Sequence, residues 1–132
     1  MTMQTGGIAG KRVLLVEDDV VTLEILHAII KAERCEVHTC RNGLQALAKF
    51  QVQSFDLVVM DIQMPTLDGK RAVYMIRRWE EQNRDTRCCI LAISGTDIEL
   101  APVSDLGFSA RLKKPITRHE ILTTAMTVLK TA

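Results

Sequence analysis

The sequence predicts an α/β domain built on a parallel sheet, and three observations carry that prediction. Short apolar runs rich in branched residues alternate with longer segments whose apolar residues recur at helical spacing, giving five β-then-α units. The runs are apolar at consecutive positions, as strands buried on both faces require, so helices must cover both sides of the sheet through right-handed crossovers. At 132 residues and 47% apolar, the chain can fill one core but not two ordinary ones.

The first run, Arg12-Val-Leu-Leu-Val16, ends in the acidic cluster Glu17-Asp18-Asp19. Val21 to Glu33 follows as a helix, with Leu23, Leu26, Ile29 and Ile30 on one face. Cys35 to Cys40 reads as the second strand, and Asn42-Gly43 as the entry to a helix carrying Leu44, Leu47, Ala48 and Phe50. Asp56-Leu-Val-Val-Met-Asp61 is the clearest strand. Met64-Pro65 stops regular structure, and Asp68-Gly69 turns the chain into a helix with Val73, Ile76, Arg77 and Trp79. Polar Glu80 to Arg87 reads as a loop or fraying helix end, and Cys88 to Ile93 as the fourth strand, closed by Ser94-Gly95. A weaker helix is expected over Asp97 to Leu106, interrupted by Pro102, then a short strand at Ala110-Arg-Leu112. Lys113-Lys-Pro115 leads to a last helix with Ile121, Leu122, Ala125, Val128 and Leu129 on its apolar face. Residues 1–10 are expected to be a flexible lead-in and 11–132 the domain.

Several function classes are disfavoured by composition. With 17 basic and 16 acidic residues the net charge is +1, so no broad field draws the chain to nucleic acid or anionic lipid. No run approaches the ~20 apolar residues of a membrane span, and Met1 to Gly7 has neither the basic cluster nor the apolar stretch of a signal peptide. A soluble cytoplasmic domain is the expectation. Cys35, Cys40, Cys88 and Cys89 lack zinc-site spacing and read as buried reduced thiols, with adjacent Cys88 and Cys89 facing opposite sides of a strand. His27, His38 and His119 share no ligand spacing and read as surface or helix-face residues.

Ligands of open α/β sheets bind beyond the carboxyl ends of the strands, so the residues that follow each strand are the candidates. Strand one delivers Glu17 and Asp18, strand three Asp61, strand four Ser94 and strand five Lys114. Singly, Asp18, Asp19 or Ser94 reads equally well as a helix cap, and Lys113 as a solvated lysine. Together they bring three carboxylates, a hydroxyl and an ammonium to one edge. Clustered carboxylates repel unless a cation offsets them, and all-oxygen ligands suit Mg²⁺. A carboxylate can accept a phosphoryl group covalently, with the metal, lysine and hydroxyl matched to the charge on that group. Residue types alone thus point to metal-assisted aspartyl phosphorylation.

The segments Val13-Leu-Leu-Val-Glu-Asp-Asp19, Leu57-Val-Val-Met-Asp-Ile-Gln-Met-Pro65 with Asp68-Gly69, Ile90-Leu-Ala-Ile-Ser94 and Lys113-Lys-Pro115, in this order, resemble the receiver domains of two-component response regulators, from about Lys11 to Lys130. That resemblance implies a flavodoxin-like three-layer fold with strand order 2-1-3-4-5. It implies Asp61 as phosphoacceptor, with Mg²⁺ held by Asp18, Asp61, the backbone carbonyl of Gln63 and, through water, Glu17. Ser94 takes the switch-hydroxyl position and Lys114 the lysine that pairs with the acceptor or its phosphate; Pro115 matches a family proline whose peptide bond is often cis. Met60 to Pro65 and Ile76-Arg-Arg-Trp-Glu80 are similar to receivers of hybrid histidine kinases. A histidine kinase or histidine phosphotransfer domain is the implied partner, with no direct nucleic-acid or membrane contact and weak dimerisation on phosphorylation as a further implication.

Two departures from the family pattern stand out. Arg111 occupies the position where an aromatic residue often turns inward on activation, and a guanidinium is costly to bury there, so Arg111 is expected to stay outward. Gly95 follows Ser94 where alanine is common, leaving more room beside the acceptor, and Phe108 is expected in the core. Two rival functions stay open at this point. One is a small-molecule phosphatase or phosphotransferase with an aspartyl nucleophile, although Gln63 stands where that class places a second acid. The other is a receiver-like protein-binding module that is never phosphorylated. Nucleotide-binding motifs of the glycine-rich kinds are missing from the sequence.

Overall fold

The structure is a computed structural model that describes residues 7–63, 69–95 and 107–131. Five strands, β1 (Arg12–Val16), β2 (Glu36–Cys40), β3 (Leu57–Asp61), β4 (Cys89–Ser94) and β5 (Ala110–Lys113), form one parallel sheet in the order β2-β1-β3-β4-β5. Four described helices join or follow them: α1 (Val20–Lys31), α2 (Gly43–Val52), α3 (Gly69–Asn83) and α4 (Arg118–Thr131). The expected helix over 97–106 and the stop at Met64-Pro65 lie outside the described residues.

Burial follows strand position. Every residue of β3 and β4 is buried, because helices cover both faces, whereas edge strands β2 and β5 are only half covered. On one face α2 and α3 pack Phe50, Ala72, Val73 and Ile76 onto Leu14, Val58, Met60 and Ile90. On the other, α1 and α4 pack Leu26, Ile30, Ile121 and Ala125 onto Val13, Leu15, Leu57, Val59 and Leu91. Consecutive strand residues thus feed alternate cores, which is why Cys88 packs on the first cluster and Cys89 on the second. Phe108 is in the core as expected.

The helices start where the sequence offers caps. Asp19 accepts from Thr22 N–H and Oγ1 at 2.8 and 2.7 Å to open α1, and Asn42 accepts from Gln45 N–H at 2.9 Å to open α2. Between the two cap readings for the acidic cluster, the cap role falls to Asp19. Three details differ from the sequence reading. Ile8 is only 2% exposed and its carbonyl accepts from Cys35 Sγ at 3.2 Å, so packing begins before residue 11, the expected start of the domain. α3 continues through Glu80 to Asn83, and Glu80 is buried: its carboxylate pairs with Arg77 Nη1 at 2.7 Å and accepts Cys88 N–H at 2.6 Å. Arg77 in turn donates from Nε to Gly107 O at 2.9 Å, so a charged i,i+3 pair fastens α3 to the entrances of β4 and β5. Trp79 lies edge-on to Phe50, and the Arg84 guanidinium covers the indole at 4.8 Å.

His38 sits on β2 between Glu36 Oε2, 2.7 Å away, and the edge of Phe55, while His119 is exposed and His27 half-buried. All four cysteines are free thiols, Cys88 being half-buried and the rest buried, and burial pushes the Cys40 thiol up to about 11. Among the described residues no helix is long and apolar enough to cross a membrane.

Candidate phosphoacceptor and metal site

The site forms where β1, β3, β4 and β5 end. Register explains the gathering: Val16 lies beside Met60, Asp61 beside Ile93, and Ser94 beside Lys113, so the residues closing each strand stand in a row at one edge of the sheet. Asp61 is the last residue of the central strand and 3% exposed; Glu17 is 1% exposed, Asp18 and Lys114 are half-buried, and Ser94 is 3% exposed. Ile62 N–H donates to Ile93 O at 2.9 Å and Lys114 N–H to Ser94 O at 2.7 Å, extending the ladder past the strand ends and fixing the backbone at the site. The Lys114-Pro115 peptide bond is cis.

Glycine at 69 lets α3 begin against the acceptor strand. A Cβ there would stand 2.7 Å from both Asp61 O and Ile62 Cα, and Gly69 N–H donates to Ile62 O at 2.8 Å. At Gly95 an added Cβ would meet only Gln63 Oε1, at 3.6 Å, so the glycine leaves space without being sterically required.

One oxygen of Asp61 accepts from Gln63 N–H at 3.1 Å, and the other faces Lys114 Nζ at 3.4 Å. The same ammonium is 3.2 Å from Glu17 Oε1. Burial would lower the lysine, but Asp61 and then Glu17 outweigh it and hold its pKa above the usual range. Glu17 is raised as well, which for an acid disfavours the charged form: burial, opposed by the Asp19 N–H and reinforced by the Asp61 charge, leaves its carboxyl at about 7. Glu17 Oε2 accepts Asp19 N–H at 3.2 Å, whereas Oε1 is buried without a hydrogen bond despite the ammonium nearby. A buried carboxylate oxygen with no hydrogen bond, beside two further carboxylates, is one that a cation could satisfy. Ligand oxygens of Glu17, Asp18 and Asp61 lie within 4.8 Å of one another, so the residues present fit a small hard cation.

All five side chains expected at the edge, Glu17, Asp18, Asp61, Ser94 and Lys114, are therefore on neighbouring strand ends, and the backbone of Gln63 adjoins Asp61. Arg111 is exposed on β5, as expected, and Phe108 is not at the site. Sequence reasoning missed Arg41, whose Nη2 donates to Asp18 O at 2.6 Å. It directly follows β2, so the strand-end rule could have found it, but no motif marks it and an exposed arginine reads as a solvated one.

A doubly wound sheet of this order, with a cation-competent carboxylate pocket and a lysine at its carboxyl edge, defines a flavodoxin-like α/β domain with an acidic ligand pocket. Comparison with known proteins narrows the class: residues 13–126 match the response regulator receiver domain, and the chain belongs to that family. It is 33% identical over 121 residues to the sensor histidine kinase GacS of Pseudomonas protegens, a match covering 90% of this chain and 13% of that protein. It is 36% identical over 111 residues to the transcription factor SKN7 of Candida albicans, covering 83% of this chain and 19% of that one. Among solved structures, the receiver domain of the sensor histidine kinase PA1611 of Pseudomonas aeruginosa, which holds magnesium in its active-site cleft, superposes with a TM-score of 0.81 at 27% identity, covering 92% of this chain and 99% of that one. The receiver domain of Saccharomyces cerevisiae Ssk1, solved with the histidine phosphotransfer protein Ypd1, gives 0.81 at 25% identity over 90% and 88% of the two chains. This chain spans only a small part of these curated relatives.

Proposed function

We propose that the domain accepts a phosphoryl group from a phosphohistidine onto Asp61 and that the resulting phosphoaspartate alters its binding to partners. The observation that carries this reading is Asp61 itself: a buried carboxylate at the end of the central strand, with one oxygen held by a backbone N–H and the other facing an ammonium at 3.4 Å. In the transfer a carboxylate oxygen of Asp61 bonds to phosphorus while the phosphorus–nitrogen bond breaks and the donor imidazole leaves. Lys114 stands where negative charge accumulates, and its position between Asp61 and Glu17 orients the acceptor. Ser94 supplies a hydroxyl to the phosphorylated state, and a contact made in only one state is what can bias a conformational equilibrium.

Glu17, Asp18, Asp61 and the carbonyl of Gln63 would hold Mg²⁺, which when bound offsets charge on the transferring phosphoryl oxygens. The magnesium reported in the PA1611 receiver and the cation-competent geometry here support this assignment. The donor is a histidine kinase or a histidine phosphotransfer domain, a reading supported by the Ssk1–Ypd1 pair and the kinase relatives. Donors of that kind are charged from ATP, and this supports reading the domain as cytoplasmic. We read it as a switch and not as an enzyme acting on a separate substrate, since Gln63 stands where an aspartate-nucleophile hydrolase needs its second acid.

Intact mass after incubation with acetyl phosphate tests the reading. One phosphoryl group should appear with Mg²⁺, fail to appear without it, and be lost in Asp61→Asn. No mass gain in wild type with Mg²⁺, or equal gain in Asp61→Asn, would contradict it.

A further inference from the structure

Two of the three clustered carboxylates ride on one short connection between β1 and α1. It is tied down partly by β2 and partly by its own side chains. Glu17 N–H donates to Cys40 O at 3.2 Å, Asp19 N–H to Glu17 Oε2 at 3.2 Å, and the Asp19 carboxylate caps α1. The peptide carbonyl of Asp18 is held from outside, by Arg41 Nη2 at 2.6 Å. Arg41 is exposed and belongs to the connection between β2 and α2, yet its root is fixed: its N–H donates to Gln45 Oε1 at 2.8 Å, while Gln45 N–H donates to Asn42 Oδ1 at 2.9 Å. That reciprocal pair is a capping box displaced by one residue. A side chain anchored at its root and making a short charge-assisted bond at its tip acts as a strut between two loops.

We propose that Arg41 is a positioning residue that, by holding the Asp18 carbonyl, sets the peptide from which the Asp18 carboxylate reaches the pocket and so raises the pocket's affinity for a divalent cation. The inference rests on the reading of that pocket as a Mg²⁺ site. Its sign separates it from a plain charge effect. A guanidinium beside a cation site repels the cation, so as a bare charge Arg41 would weaken binding and its removal would tighten it. As a strut, its removal frees Asp18 and weakens binding, as the loss of an outer partner does at metal sites, by roughly tenfold. The short bond goes to a peptide carbonyl of the metal-competent segment, which is the contact a strut requires.

The test is Mg²⁺ titration of the full chain as wild type, Arg41→Met and Arg41→Lys, followed calorimetrically and by the rise in melting temperature, with amide exchange at Asp19 measured in metal-free protein. Arg41→Met keeps the apolar stem, and the position lies outside both cores, so the fold is retained. Roughly tenfold weaker Mg²⁺ binding in Arg41→Met, faster exchange at Asp19 without metal, and partial recovery in Arg41→Lys are the expected results. Unchanged or tighter Mg²⁺ binding in Arg41→Met, with wild type binding normally, overturns the positioning role. Failure of wild type itself to bind Mg²⁺ overturns the reading of the pocket, and the inference with it.

Discussion

Burial raises the carboxyl of Glu17 from 4.5 to about 7, and that shift has a consequence for stability. Folding favours its protonated form, so its contribution is full below 4.5 and is lost as pH rises through about 7. Asp19 and Glu36 run the other way: Thr22 lowers the first, and His38 with Arg12 lowers the second, so their contributions fade only under more acidic conditions. Metal-free protein should therefore resist urea better near pH 5.5 than near pH 8, and Glu17→Gln should flatten the difference. Greater stability near pH 8 would show that the Glu17 charge is already compensated. Lys114 bears on chemistry more than on folding. Lys114→Ala should fold but gain phosphoryl mass from acetyl phosphate more slowly, by about a hundredfold, since one electrostatic partner is removed from the acceptor; a wild-type initial rate would remove Lys114 from its role. At this scale the sequence was informative at the ends of four strands: Glu17, Asp18, Asp61, Ser94 and Lys114 were all legible from that rule. Arg41 directly follows β2 and was passed over, because its role lies in a contact from one loop to another, and the burial of Glu80 was not foreseen, because its pairing with Arg77 is seen only in the packed structure.

Elements were legible to the extent that their periodicity was clean. β3 and β4 are unbroken apolar runs because both faces are covered, and they appear where expected to within a residue. The end of α3 was harder to read, since its last turn is held by the Arg77–Glu80 pair and the Trp79–Phe50 contact instead of by an apolar stripe. Its start depends on close approach. An alanine at 69 would drive Cβ into Asp61 O and Ile62 Cα, each 2.7 Å away, and neither is the free end of a flexible side chain. Gly69→Ala should cost about 1–3 kcal/mol, the range for steric overpacking, as a lower urea midpoint, and should also slow phosphoryl labelling by shifting the backbone behind Asp61. An unchanged midpoint would mean that α3 can slide away from the strand at no cost.

For the whole molecule, alternation of strands and helices gave a parallel sheet, and resemblance gave the order of its strands; the structure has both. Physical chemistry of the residues then narrowed the edge to phosphoryl chemistry, but the pairing of Lys114 with both Glu17 and Asp61 is a property of register, and register follows from the packed sheet as a whole. The central claim is that one side chain, Asp61, carries the phosphoryl group as an acyl phosphate. Borohydride reduces an acyl phosphate to the alcohol and leaves free carboxylates untouched, so treatment of the phosphorylated domain followed by peptide mass mapping reads the site directly. The account predicts a single reduced residue, homoserine in place of Asp61, formed only after phosphorylation in the presence of Mg²⁺. Reduction at Asp18, Glu17 or any other carboxylate with Asp61 intact, or phosphoryl mass that borohydride does not remove, would contradict it.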